Sequence, residues 1–478
     1  MRISELEPKS VFGYFEELTK IPRGSGDMEK VSKYCVEFAE KHGLFCVRDS
    51  ANNVIIKKPA SEGYESHEPI ILQGHLDMVC QKDAGVTIDF LKDGIEAFVD
   101  GDFICAKGTT LGADNGIAVA MVLSILADKT LSHPPIEAVF TTDEEIGMIG
   151  ASALSVEHLL GKRMMNLDSE DPSVVTVSCA GGSDFKIRVP LEFQTVQKPA
   201  IMVSVKGLLG GHSGVEIEKG RVNANLLIGR VLNHLQKTVS FDLIRLNGGD
   251  KANAIPNSAT AMIAAEDVST VKKELSAYKE VLTKELLSRE PSFSLEFEEL
   301  AGDTFGVVSD ENKETLISML VLAPNGVLTM SAEIEHLVET SLNLGVLNMD
   351  KQEATLLFAL RSNKTSALLA LDEKLTSFAK LFPCICESGG FYPPWEYTEN
   401  AKLKTLYQEK FREKFGFTPE AYAIHAGLEC GVFASKIPGF DCISVGPDMK
   451  DIHTTNERLS ISSSKALFEL ILEILKSL

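Results

Sequence analysis

Four short apolar runs in this chain have the length and composition of buried strands, and each leads directly into histidine, aspartate or glutamate. Residues 69–72 (Pro-Ile-Ile-Leu) run into Gly74-His75-Leu76-Asp77, and residues 136–140 into Thr142-Asp143-Glu144-Glu145-Ile146-Gly147. Residues 163–167 precede Asp168-Ser169-Glu170, and residues 441–445 precede Gly446-Pro447-Asp448, with His453 a few positions on. A fifth site, Asp114 in Gly112-Ala113-Asp114-Asn115-Gly116, opens the apolar helical run 117–126. Buried strands alternating with helices imply an α/β protein: a mixed, mostly parallel sheet with helices on both faces. Ligands and chemistry collect at the C-terminal edge of the strands in such sheets. Singly, each group has a plainer reading. A His-x-Asp is commonly structural, an Asp at a helix start is a cap, and an acidic turn is solvated. Five on one pattern are not coincidence.

The donor chemistry narrows what such a set binds. Imidazole and carboxylate without cysteine suit zinc, manganese or cobalt at a catalytic centre, whereas a structural zinc prefers a closed thiolate cage. Two histidines and at least four carboxylates exceed the needs of one ion. Two divalent ions about 3.5–4 Å apart, sharing a carboxylate and a water, would use them all.

With Gly210-Gly211-His212-Ser213-Gly214, His425-Ala426-Gly427-Leu428-Glu429-Cys430-Gly431 and Asp451-Ile452-His453-Thr454, these motifs resemble the co-catalytic zinc peptidases, the family that includes aminoacylases, carnosinases and bacterial dipeptidases. The resemblance spans nearly the whole chain. It implies that His75 and Asp168 hold one metal, His453 and Glu145 the other, and that Asp114 bridges both. Zinc is the expected ion, with manganese or cobalt accepting the same ligands. Asp77 is expected to orient His75. Glu144 is expected to be the general base, and His212 the donor to the oxyanion. Arg361 is the candidate for the substrate carboxylate. Glu429 is the candidate for the substrate ammonium or for support of the site, and Asn253 is a further candidate for contact with substrate. The expected reaction is hydrolysis of unblocked dipeptides, including those ending in histidine such as β-alanyl-histidine. An N-acyl-amino-acid amidohydrolase or a carboxypeptidase is the alternative on the same scaffold, and a silent binding protein the alternative outside catalysis.

At 478 residues the chain exceeds one ordinary core. Residues 1–182 read as the first part of a catalytic domain and 389–478 as its second part. Between them, residues 183–388 switch to alternating, half-exposed strands and read as an inserted α+β lid in two similar halves. Residues 61–67 and 83–107 read as surface loops. The formal charge of −21 disfavours nucleic acid and anionic membranes as partners. The charged N-terminus does not look like a signal peptide, and no run reaches the length of a membrane span. The nine scattered cysteines suit reduced thiols in a cytoplasm. The family resemblance also implies a homodimer.

Overall fold

The computed structural model describes residues 2–478. The chain forms two compact units. One comprises the residues up to Cys179 together with Tyr397–Ala423 and Leu428–Leu478; the other comprises Ala180–Glu396 and Ile424–Gly427.

The first unit is built on an eight-stranded sheet in the order Phe45–Arg48, Val54–Lys58, Ile136–Thr141, Ile70–His75, Arg163–Asn166, Asp441–Ser444, Val174–Cys179, Glu420–Ile424. Its centre is parallel: Ile70–His75 lies between Ile136–Thr141 and Arg163–Asn166, and Asp441–Ser444 follows in the same direction. Towards the edges the pairing turns antiparallel. Ile70–His75 and Ile136–Thr141 are buried at every position, which is why they read as continuous apolar runs rather than alternating ones. The helix Ala113–Ala127 is buried from Ala113 to Leu126, apolar all round because it is enclosed on every face. Gly74 lets it approach the sheet: a Cβ there would come within 3.1 Å of Ala118 and press on the Asn115 side chain.

The expected loop at 83–107 is partly a hairpin. Ala97–Asp100 pairs with Phe103–Ala106, and the latter also pairs with Arg458–Ser460. The Asp-Gly-Asp content that suggests a loop is the turn itself, with Gly101 at φ +59°. Arg458–Ser460 pairs in turn with Met449–Lys450. This small sheet ties down both ends of the segment carrying His453.

The second unit is α+β. Its nine-stranded sheet runs Ser294–Leu300, Ala200–Lys206, Ala259–Ala264, Asp242–Gly248, Val338–Met349, Glu353–Ser362, Gly181–Pro190, Ile385–Tyr392, with Gly326–Met330 also paired to Val338–Met349. The strands from the two sequence halves join through a short register, Asn247 opposite Asn348 and Gly248 opposite Leu347. Helices Ala224–Leu235, Val268–Leu286, Asp310–Leu322 and Thr365–Ala379 bury their apolar residues in one core with the sheet. No helix among the described residues is long and apolar enough to cross a membrane.

Candidate active site

The parallel centre of the first unit's sheet delivers its strand ends to one place. His75 is the last residue of Ile70–His75 and is buried. Its Nε2 lies 3.1 Å from Asp114 Oδ1 and 3.4 Å from Asp168 Oδ1. His453 Nε2 lies 3.0 Å from Asp114 Oδ2 and 3.1 Å from Glu145 Oε1. Asp114 thus turns one oxygen to each histidine. Glu144 joins His75 and Glu145 in a third group of donors within reach of a common ion.

These spacings fit metal ligation. Ligands on bonds of about 2.0 Å around a tetrahedral ion stand about 3.3 Å apart, close to the separations seen here. His75, Asp114 and Asp168 form one set of donors, and Asp114, Glu145 and His453 form another, sharing Asp114.

The electrostatics point the same way. Burial drives the Asp168 and Glu144 carboxyls up, and neighbouring carboxylates add to it, Asp114 for Asp168 and Asp168, Glu429 and Glu145 for Glu144. Burial opposes a charge on His75, but Asp168, Asp114 and Asp77 together push its pKa well above the ordinary value. His453 is pushed up to about 11 by its hydrogen bonds to Asp114 and Glu145. So many acids in one buried cluster repel one another, and a cation relieves that repulsion.

Asp77 does two things. Its Oδ1 is 3.3 Å from His75 Nδ1. Its carboxylate also accepts the backbone N–H groups of Glu144, at 3.0 Å, and Glu145, at 3.2 Å, and the Ser25 hydroxyl at 2.9 Å. One buried side chain therefore orients the histidine and pins the acidic turn.

Glu429 begins the helix Glu429–Lys436 and is completely buried. Its Oε2 accepts from Gln73 Nε2 and from Thr141 Oγ1, the latter at 2.7 Å. Gln73 Oε1 accepts in turn from Asn166 Nδ2. This network links the three strands that end in His75, the acidic turn and Asp168. Burial, reinforced by Asp168 and Asp77, pushes the Glu429 carboxyl up to about 7.

Two buried charges here carry no motif that sequence reasoning picks out: Arg23, in the Pro22-Arg23-Gly24 break between helices, and Glu457. The one available signal for Glu457 is its place four residues after His453.

In the second unit, Gly211–His212 pairs with Ala254–Ile255. His212 Nδ1 accepts the N–H groups of Gly214 at 3.1 Å and Val215 at 3.2 Å, which leaves the ring proton on Nε2. Burial and the Arg361 charge lower its pKa to about 4, so the ring is a neutral donor. Arg361, buried on the strand Glu353–Ser362, donates from Nη1 to Tyr392 Oη at 2.9 Å. The same polar cluster holds His425, buried between Ser341 Oγ at 2.7 Å and Asn363 Oδ1 at 3.1 Å. Asn253 is exposed, and it is the Asn253 backbone carbonyl that accepts, from the Ser213 N–H at 2.9 Å.

A family model described as peptidase family M20/M25/M40 matches residues 71–477. The chain belongs to that family. It is therefore a hydrolase of peptidase type. The cytosol non-specific dipeptidase of Escherichia coli (strain K12) is 37% identical over 480 aligned residues, covering 100% of this chain and 99% of that protein. The crystal structure of aminoacylhistidine dipeptidase from Vibrio alginolyticus matches with a TM-score of 0.89 at 36% identity, over 100% of this chain and 98% of that one. A tripeptidase from Staphylococcus aureus shares the fold alone, with a TM-score of 0.57 at 17% identity over 99% and 98% of the two chains.

Proposed function

We propose that this peptidase is a two-metal dipeptidase that cleaves unblocked dipeptides, including those with C-terminal histidine. The observation that carries the reading is Asp114, with one carboxylate oxygen beside His75 and the other beside His453. The names of the E. coli and Vibrio relatives support the substrate class.

His75 and Asp168 would hold one ion, His453 and Glu145 the other, and Asp114 both. Zinc is the proposed ion. When bound, the pair would lower the pKa of a shared water towards about 7 and polarise the peptide carbonyl. Glu144, whose carboxyl burial raises above its ordinary range, takes the proton from the attacking water and passes it to the leaving amine. Asp77 holds His75 in register for this, and Glu429 supports the strand ends from below through Gln73 and Thr141. His212 is the proposed donor, through its Nε2–H, to the developing oxyanion. Arg361 pairs with the substrate carboxylate, and Asn253 adds a polar contact to substrate. The name of the E. coli relative supports a cytosolic location, and a homodimer is the proposed assembly.

The test is hydrolysis by protein stripped of metal and then given zinc, manganese or cobalt. The substrates are β-alanyl-histidine, Gly-His, other α-dipeptides, one tripeptide and one N-acetyl amino acid. Restored cleavage of the free dipeptides alone is the expected outcome. Cleavage of the acetylated compound alone would make the chain an amidohydrolase instead.

A further inference from the structure

Two buried charges beside the metal-ligand cluster take no part in the chemistry above. Glu457 is 3% exposed and lies in the segment between Met449–Lys450 and Arg458–Ser460, four residues after His453. Its Oε2 accepts the backbone N–H of Leu111 at 2.7 Å and of Gly112 at 2.9 Å. Its Oε1 accepts those of Ala113 at 2.8 Å and Asp114 at 3.3 Å. Four consecutive amides thus converge on one carboxylate. They open the helix Ala113–Ala127, which has no side-chain cap from its own N-cap residue, Gly112. The cap comes instead from a residue more than three hundred positions away.

Arg23, 2% exposed, closes the other side. Its Nη1 donates to the carbonyls of Leu76 at 3.0 Å and Asp77 at 3.1 Å, and its Nη2 to that of Gly112. A Cβ at Gly112 or Gly116 would stand 2.5 or 2.6 Å from that Nη2, so both glycines make room for it. Three separate loops are clamped together this way: His75–Asp77, Leu111–Asp114 and the His453 segment.

We propose that Glu457 is a positioning residue for the metal centre. It fixes the Asp114 backbone and the His453 segment to each other, so that the two Asp114 oxygens stay aimed at His75 and His453. The inference rests on the reading of these residues as metal ligands. A glutamine in place of Glu457 loses one acceptor oxygen and turns an amide donor towards amides that also donate. The Asp114 loop must then shift, and changes behind metal ligands typically cost 10–100-fold in affinity.

The experiment titrates metal-free full-length protein with cobalt(II), read by visible absorption, with a zinc–chelator competition alongside. Wild type is expected to take up two ions. E457Q is expected to bind at least one of them about 10–100-fold more weakly, with an altered cobalt spectrum. E137Q is the control for a merely structural loss. Glu137 is also buried and accepts the N–H groups of Leu160 and Gly161, but it sits near the start of the strand Ile136–Thr141, away from the cluster. That variant is expected to unfold at a lower temperature yet titrate like wild type. Should E457Q not fold, E457D, which keeps the charge on a shorter arm, is titrated in its place by the same criteria. Equal affinity and spectrum in wild type and the Glu457 variant would overturn this inference alone. Wild type that takes up fewer than two ions would overturn the metal-centre reading, and this inference with it.

Discussion

In the proposed mechanism, two adjacent glutamates at the end of one strand take different roles. Glu145 Oε1 is 3.1 Å from His453 Nε2 and shares a donor group with it and Asp114, whereas Glu144 falls only in the group with His75 and Glu145. Both backbone amides are held by Asp77, so neither side chain's direction is left to a mobile turn. The roles separate under mutation. E144Q keeps the size and the Asp77–amide bond but cannot take a proton. Its kcat/KM should fall about 10²–10⁴-fold, while two metal ions per chain are retained by elemental analysis. Loss of metal together with activity would move Glu144 from base to ligand. In the sequence, the assignment of one glutamate to water and the next to metal comes from family resemblance. The residue pattern shows only that three acids stand in a row, because strand-end geometry is not written in residue identity.

The elements show where sequence suffices and where it does not. Strands buried on both faces announce themselves as apolar runs, so the edge of the parallel sheet, and with it His75, the acidic turn and Asp168, is legible from residue identity. The hairpin formed by Ala97–Asp100 and Phe103–Ala106 is not, because its strands are four residues each and the Asp-Gly turn dominates the stretch. The clamp of Glu457 on Leu111–Asp114 is not legible either. Its donors are backbone amides, which every residue but proline has, and its partners are remote in sequence. Between these lies Gly74, whose meaning appears only once the helix Ala113–Ala127 is placed on the strand. The His75 N–H donates to Asn115 Oδ1 at 3.2 Å, and a Cβ on Gly74 would press on that same oxygen. Gly74→Ala should therefore push the helix start and His75 apart. The expected cost is about 1–3 kcal/mol in denaturant unfolding, with weakened metal binding. An unchanged unfolding midpoint would mean that the seam yields without strain.

At the scale of the whole molecule, metal and protons act on the two units with different signs. Ions that bind the folded first unit and not the unfolded chain stabilise it, by about 2.7 kcal/mol per site at a hundredfold excess over Kd. Chelation should lower the thermal midpoint, and zinc should restore it; a midpoint indifferent to chelator would contradict the reading of the cluster. In metal-free protein, His75 and His453 carry raised pKa values. Their contribution is full below the unfolded value near 6.5 and is lost as pH rises through the folded value, so alkali weakens that unit. The second unit behaves oppositely. His425, 5% exposed, is lowered to about 3 by burial and then by the Arg361 charge. It stays neutral on Ser341 and Asn363 while the unfolded chain takes up a proton below about 6.5. Its contribution is therefore full above that value and lost as pH falls towards 3. Between pH 7 and pH 5 the loss is about 2 kcal/mol. His425→Gln removes the titrating group, so the stability gap between wild type and variant should narrow by about that amount over the same interval. The single tryptophan, Trp395, lies buried in the second unit, and its fluorescence during urea unfolding of metal-free protein reports on the unit in question. A gap that stays constant from pH 7 to pH 5 would show that His425 titrates alike in the folded and unfolded chain, and that the neutral ring is not what the Ser341–His425–Asn363 arrangement selects.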